Sequence, residues 1–177
     1  MRSYIKYGIS YGMISAILCI LFFYSTLLFG NDPLGGSKAI SYFFMLIIFF
    51  LVLWNFRRDE KQGVLHFHQG FFVVLVEHTV SCLLFALFVW ASLMFFNPTL
   101  LDKHKEESTI FWNFIKPALI KTIGEKGFSK GLEDINMMTP TSLALDEFKK
   151  RFSILIFFVL IASFIMRRSP NTISKMR

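Results

Sequence analysis

Long apolar runs alternate with short polar breaks along this chain. Residues 9–29, 40–56, 71–96 and 152–166 are strongly apolar, and charged residues gather between them. A bilayer core takes roughly 20 apolar residues in a helix, so the first three runs are of crossing length. The last run is short, so its helix is expected to start earlier, near Ser142. That gives a crossing over 146–166, with Lys149, Lys150 and Arg151 reaching the interface by their charged tips. The pattern predicts an all-α polytopic membrane protein: a four-transmembrane-helix bundle over 1–177, with an amphipathic helical lobe over 99–145.

The breaks carry turn chemistry. Asn31-Asp32-Pro33-Leu34-Gly35-Gly36-Ser37 combines capping and turn residues, and a loop this short makes the first two helices an antiparallel hairpin. Its glycines are no phosphate cradle, because no strand precedes them and no Gly-Lys-Ser/Thr follows. Arg57-Arg58-Asp59-Glu60-Lys61 is a charged connector. The third run organises the rest. A half-polar approach begins at Gln62, and Phe67, Phe71 and Val74 share a face, so residues 65–71 read as an amphipathic lead-in. Asn97-Pro98 stops this helix. In the lobe, Leu100, Leu101, Phe111, Phe114, Ile115, Leu119, Ile120 and Ile123 fall at near-helical spacing. Pro117 is a candidate kink, and Gly124 and Gly127 are candidate stops. A second short helix is expected over 129–137, then a break at Met138-Thr139-Pro140-Thr141, with Thr141 or Ser142 capping the last helix.

Composition sharpens this picture. Hydrophobic residues make up 54% of 177, with 23 Phe, above the roughly 45–50% usual in soluble domains. Mean hydropathy is +0.54. The net charge of +7 raises nucleic-acid binding, but the basic residues sit at the ends of apolar runs: Arg2/Lys6, Arg57/Arg58/Lys61 and Arg167/Arg168/Lys175/Arg177. That is the signature of topology signals and anionic lipid contact, so no nucleic-acid partner is expected. These three segments share one side, which places both termini in the cytoplasm and the lobe outside. The first apolar run is too long for a cleaved leader, so an uncleaved helix is expected. Cys19 and Cys82 lie inside apolar runs, where Cys behaves as a small hydrophobe.

The order and spacing resemble a known family, the bacterial domain-of-unknown-function family numbered 4199. The likeness rests on Tyr4-Ile5-Lys6-Tyr7-Gly8, on Gly63-Val64-Leu65-His66-Phe67-His68-Gln69-Gly70-Phe71, and on Phe96-Asn97-Pro98. It also includes Gly127-Phe128-Ser129 and Ile165-Met166-Arg167-Arg168. Gln69 stands where relatives often carry a basic residue. The resemblance implies a four-helix bacterial inner-membrane protein with an amphipathic lobe before the last helix. It implies no catalytic residues.

Glu77 and His78 are the ionisable groups inside the strongly apolar runs. Charges there are costly and usually face a bundle interior or a cavity. Glu77 and Ser81 lie one turn apart on a helix face, as do His78 and Cys82, so Glu77, His78 and Ser81 form a candidate intramembrane polar site. The competing reading puts Glu77 only a turn or two inside the cytoplasmic interface, reaching water or pairing with Arg57, Arg58 or Lys61. Gly8, Gly12 and Ala16 recur every four residues and form a candidate helix-packing stripe. His66 and His68 lie on different helix faces and no zinc-type cluster occurs, so no metal or cofactor is expected. Asp146-Glu147, followed by Lys149-Lys150-Arg151, reads as a solvated interfacial charge cluster rather than a catalytic carboxylate pair. No nucleophile elbow, HExxH, P-loop or dinucleotide fingerprint occurs. The expected function is a non-enzymatic scaffold or accessory subunit of a membrane complex. Its partners would be the bilayer and a second membrane protein or further copies of the chain, engaged through the small-residue stripe or the lobe. The alternative is a small oligomeric transporter or channel using Glu77 and His78. A membrane enzyme acting on lipid-linked substrates comes third.

Overall fold

A computed structural model describes residues 2–60 and 63–167. Lys61, Gln62 and the tail from Arg168, including the basic residues Arg168, Lys175 and Arg177, lie outside the described residues. Among those described, the chain folds as six α-helices with no strand: α1 (Arg2–Leu28), α2 (Ala39–Glu60), α3 (Phe67–Ala91), α4 (Thr99–Phe114), α5 (Lys116–Asn136) and α6 (Pro140–Ile165). A π-helical turn, Ser92–Phe96, extends α3.

Three of these are long and apolar enough to cross a membrane: Ser3–Leu28, Ala39–Glu60 and Phe67–Phe96. The chain is a membrane-spanning helical bundle. The helix α6 is 26 residues long, but Lys149, Lys150 and Arg151 precede its apolar part, so its composition falls short of the other three. Helices extend past the apolar runs at both ends because the backbone of flanking residues such as Ile5 and Arg58 still gains intrahelical hydrogen bonds. The lead-in over 65–71 is no separate element. His66 is extended, its N–H donates to Gln69 Oε1 at 3.2 Å, and Phe67 already belongs to α3.

The helix α3 is the central post. It packs most extensively against α1 on one side and α6 on the other, and α2 fills the groove between them. Val73, Val74, Cys82 and Val89 of α3 are buried, as are Phe49, Val52, Leu53 and Phe56 of α2. The contact with α1 is a backbone contact. A Cβ on Gly12 would lie 2.8 Å from the Glu77 carbonyl oxygen and 2.8 Å from Val80 Cβ; one on Gly8 would lie 2.6 Å from Val76 Cγ1. Ala16 is buried on the same face. The small-residue stripe is thus filled by α3 of the same chain, and the idea that it receives another protein is corrected.

The turns follow local chemistry. Gly30, with φ +77, ends α1 in a left-handed cap: its own N–H donates to the Leu27 carbonyl and that of Asn31 to the Thr26 carbonyl. Asn97 and Pro98 separate α3 from α4, as the sequence predicts. Pro117 does not kink a helix; it sits in the first turn of α5, where its missing N–H costs nothing. Gly124 (φ 73, ψ 170) breaks the α5 helix, while Gly127 is helical, so Ser129 starts nothing new. The last helix is capped by Thr139, whose Oγ1 accepts from Ser142 N–H at 3.1 Å with Pro140 at the first position. The expected cap at Thr141 or Ser142 is therefore corrected by two residues or more, because Pro140 suits the first helical turn better than it suits a break.

Gly12→Leu is expected to lower thermal stability in detergent by about 3 kcal/mol or more, since overpacking a close helix contact forces backbone movement. Gly36→Ala, where a Cβ meets nothing within 4 Å, is expected to leave the melting temperature unchanged. Fluorescence-detected size exclusion after a heat step measures both. Equal tolerance of the two would contradict the packing described.

Candidate functional site

A column of polar side chains runs through the bundle interior. At its middle is Glu77, ten residues after the start of α3, about 15 Å along the axis at 1.5 Å per residue. It is 0% exposed, as are His78 and Ser81. The Ser81 hydroxyl donates to Ser15 Oγ of α1 at 3.0 Å, and Ser15 is the polar neighbour of the Glu77 carboxyl. Among the described residues, neither Glu77 carboxyl oxygen has a hydrogen-bond partner and no ion pair joins it. Arg57 reaches the Met166 carbonyl at 3.3 Å and stacks over Trp54, while Arg58 pairs with Asp59 at 2.7 Å. The interfacial pairing of Glu77 with Arg57 or Arg58 is thus corrected: the close approach of α1 turns the Glu77 face inward. Lys61 lies outside the described residues.

His78 is held between α2 and α6. Its ring stacks on Phe152 at 5.2 Å, meets Phe49 edge-on at 5.5 Å, and places Nε2 3.3 Å from the Phe152 carbonyl oxygen. Since a carbonyl oxygen only accepts, the ring donates from Nε2 in this contact. Cys82 Sγ lies 3.6 Å from His78 Nδ1.

The sequence reading missed the charged part of this interior. Arg151 is 1% exposed and Glu147 is 1% exposed. Arg151 does not snorkel. Its guanidinium lies 3.8 Å over the Phe85 ring and 5.0 Å from that of Tyr42, and its Nε is 3.5 Å from Glu147 Oε2. That distance makes an ion pair but no hydrogen bond, and both atoms lack one. Glu147 Oε1 accepts from Lys38 Nζ at 2.8 Å. Of the expected interfacial cluster, only Lys149, Lys150 and Asp146 behave as read: Lys149 and Lys150 are exposed, and Lys150 pairs with Asp146 at 2.6 Å. The correction has a geometric cause. Positions 147 and 151 are four apart and share one helical face, and on α6 that face continues through buried Leu155 and Val159. The apolar stripe projected one turn backwards was the signal.

Around the column, Tyr11 accepts from Asn55 at 2.6 Å and the Tyr7 hydroxyl donates to Asp59 at 3.1 Å near the connector end. At the lobe end, His104 Nδ1 lies 2.5 Å from Asp32 Oδ2, and Lys103 donates to the Gly30 carbonyl at 2.6 Å. His66 and His68 stack on each other at 5.8 Å, away from His78. Among the described residues, no three His, Cys, Asp or Glu side chains gather as a metal site would need. Chemically, the column offers one buried carboxyl without a partner, one aromatic-clamped imidazole and one shared ion pair.

Replacing Arg151 by Ala is expected to destabilise the protein by about 2–5 kcal/mol, because Glu147 keeps Lys38 but a large buried side chain packed on Phe85 and Tyr42 is emptied. Alanine at Lys149 or Lys150 is expected to change stability by no more than about 0.5 kcal/mol. Thermal unfolding of the three purified variants distinguishes the neighbours, and similar losses at all of them would place Arg151 at the surface.

Comparison with known proteins adds a family and no activity. The family model described as "Protein of unknown function (DUF4199)" matches residues 10–168, and the chain belongs to this family. No curated protein matches it. No solved structure matches it either.

Proposed function

We propose that this DUF4199 member is a non-enzymatic accessory subunit of a complex in the bacterial inner membrane. In this reading α6 makes a fourth crossing, both termini are cytoplasmic and the lobe formed by α4 and α5 stands outside. The bundle anchors the chain and the lobe meets the partner. One observation carries the reading: the bundle's polar groups are mostly spent on one another, whereas the lobe displays unspent apolar ones. Ser15–Ser81, Lys38–Glu147 and Tyr11–Asn55 tie helix to helix. On α4, Ile110, Phe111 and Phe114 are 62%, 60% and 80% exposed. The lobe is held in place by Lys103 on Gly30 and His104 on Asp32, so these side chains are presented from a fixed platform. The basic residues at the helix ends support the orientation.

A photoreactive amino acid at Phe114, in a chain also carrying Lys126→Cys, tests both parts in intact cells. Labelling of the thiol introduced at position 126 by a membrane-impermeant maleimide is expected, together with one discrete protein adduct at position 114. That adduct is expected to be absent when the photoreactive group replaces lipid-facing Phe157. Adducts to lipid alone at position 114 would overturn the accessory role, and labelling only after lysis would overturn the orientation.

A second reading, a small oligomeric transporter or channel, is favoured by Glu77, whose buried oxygens lack partners. Intramembrane carboxyls of this kind mark proton and cation paths. Reconstituted protein would then pass protons or monovalent cations, and Glu77→Gln would abolish that flux while preserving oligomer size. Flux equal in both proteins removes this reading.

A further inference from the structure

A cavity of about 600 Å³ opens where the lobe meets the bundle, between the α1–α2 turn, α4, the end of α5 and the start of α6. That volume is in the range of small-ligand sites. One wall is apolar and aromatic, built from Trp112 of α4, Ile135 of α5 and Leu143 of α6. Trp112 is fixed there: its indole N–H donates to the Phe128 carbonyl at 3.2 Å, and its ring lies so close over Gly131 that a Cβ there would collide with it. The facing wall is ionic and includes Lys38, Glu147, Asp32 and His104.

Most of that wall is paired locally. Asp146 has Lys150 at 2.6 Å; Asp32 has His104 at 2.5 Å and accepts the Leu34 N–H at 2.9 Å. Glu107, which also lines the cavity, has Lys103 at 3.7 Å. Glu147 is different, because it serves two cations, Lys38 at 2.8 Å and Arg151 at 3.5 Å. A guanidinium does not lose its charge, so within this triad Arg151 is a permanent cation and Lys38 a second basic group beside one carboxyl. Two of its atoms, Glu147 Oε2 and Arg151 Nε, lack hydrogen bonds. Lys38 is the member a ligand can touch. Its side chain is 23% exposed, against 1% for Glu147 and 2% for Arg151. An ammonium has three donors, and the bond to Glu147 takes one.

We infer that this cavity binds a single-chain amphiphile with an anionic head, the head on the Lys38 ammonium and the chain along Trp112, Ile135 and Leu143. The lining also carries Asp32, Glu107 and Asp146, each with a local basic partner, so the head is selected by the ammonium that the cavity exposes. An anionic head gains an ion pair with Lys38, an uncharged head gains a hydrogen bond alone, and a cationic head is repelled by Lys38. The cavity is lined by the α1–α2 turn, which joins two helices long and apolar enough to cross a membrane, and single-chain amphiphiles concentrate at membrane surfaces. The inference is independent of any protein partner for the lobe.

The test uses the full chain in phosphatidylcholine nanodiscs with a photoactivatable long-chain fatty acid as probe. Saturable labelling of peptides containing Trp112 or Leu143 is expected. Palmitate or hexadecyl phosphate is expected to compete about tenfold better than hexadecanol, hexadecylamine or inorganic phosphate, a difference equivalent to about 1.4 kcal/mol. Leu143→Trp, which fills the cavity and leaves Lys38–Glu147 intact, is expected to cut labelling about tenfold, and Lys38→Arg to keep it. Lys38→Gln should lose it, with elution volume reporting whether that variant folds. Competition on the natural chain keeps the test decisive if it does not. Equal competition by hexadecanol or hexadecylamine, or labelling unchanged by Leu143→Trp, would overturn the inference.

Discussion

The backbone contact between α1 and α3 is the constraint on which the rest of this bundle depends. Within a bilayer, apolar side chains gain little by leaving lipid for protein, so helices associate through close packing and interhelical hydrogen bonds. Gly12 brings α1 to within a Cβ's width of the Glu77 carbonyl. Only at that distance can Ser15 reach Ser81 at 3.0 Å. The same approach seals the Glu77 side chain from lipid and water. One glycine therefore fixes helix spacing, a hydrogen bond and the isolation of a carboxyl.

The opposite side of α3 works by different chemistry. There α6 brings a cation and an anion into the interior, and aromatic rings take the place of solvent. The Arg151 guanidinium rests on Phe85 and faces Tyr42, interactions that gain strength when desolvated. His78 is clamped by Phe49 and Phe152. The abundance of Phe thus has a second role besides meeting lipid: it pads the buried charges. Lys38 completes the arrangement from the α1–α2 turn, so the turn and α6 share one ionic junction, while His104 ties the lobe to the same turn through Asp32.

Most of the architecture was legible because long apolar runs and Pro/Gly breaks are strong local signals. The hairpin turn at 31–37, the stop at Asn97-Pro98 and the interruption at Gly124 all follow from residue chemistry. The site was only partly legible. Glu77, His78 and Ser81 stood out because polar residues in an apolar run are conspicuous. Arg151 and Glu147 did not, because they sit among exposed Lys149, Lys150 and Asp146, and sequence adjacency suggested one solvated cluster. Which face of α6 turns inward is decided by contacts with α3, many residues away in the chain. Ser15 was missed for the same reason, since its meaning depends on Ser81 across the interface. The small-residue stripe was visible, but its partner was a question of tertiary structure that no local pattern answers.

The π-helical turn at Ser92–Phe96 sets a direction as well as an ending. Asn97 N–H returns to the Ser92 carbonyl at 2.7 Å, one residue further back than an α-helix allows. A wide turn of this kind holds one extra residue, and each residue advances the chain about 100° around the axis. The bearing on which α4 leaves α3 is therefore written in residue count. A chain one residue shorter at this point would swing its lobe about 100° around α3, carrying Trp112 and His104 away from Leu143 and Asp32. The turn acts as a compass setting for the lobe, and the cavity beneath it exists only on the bearing found here.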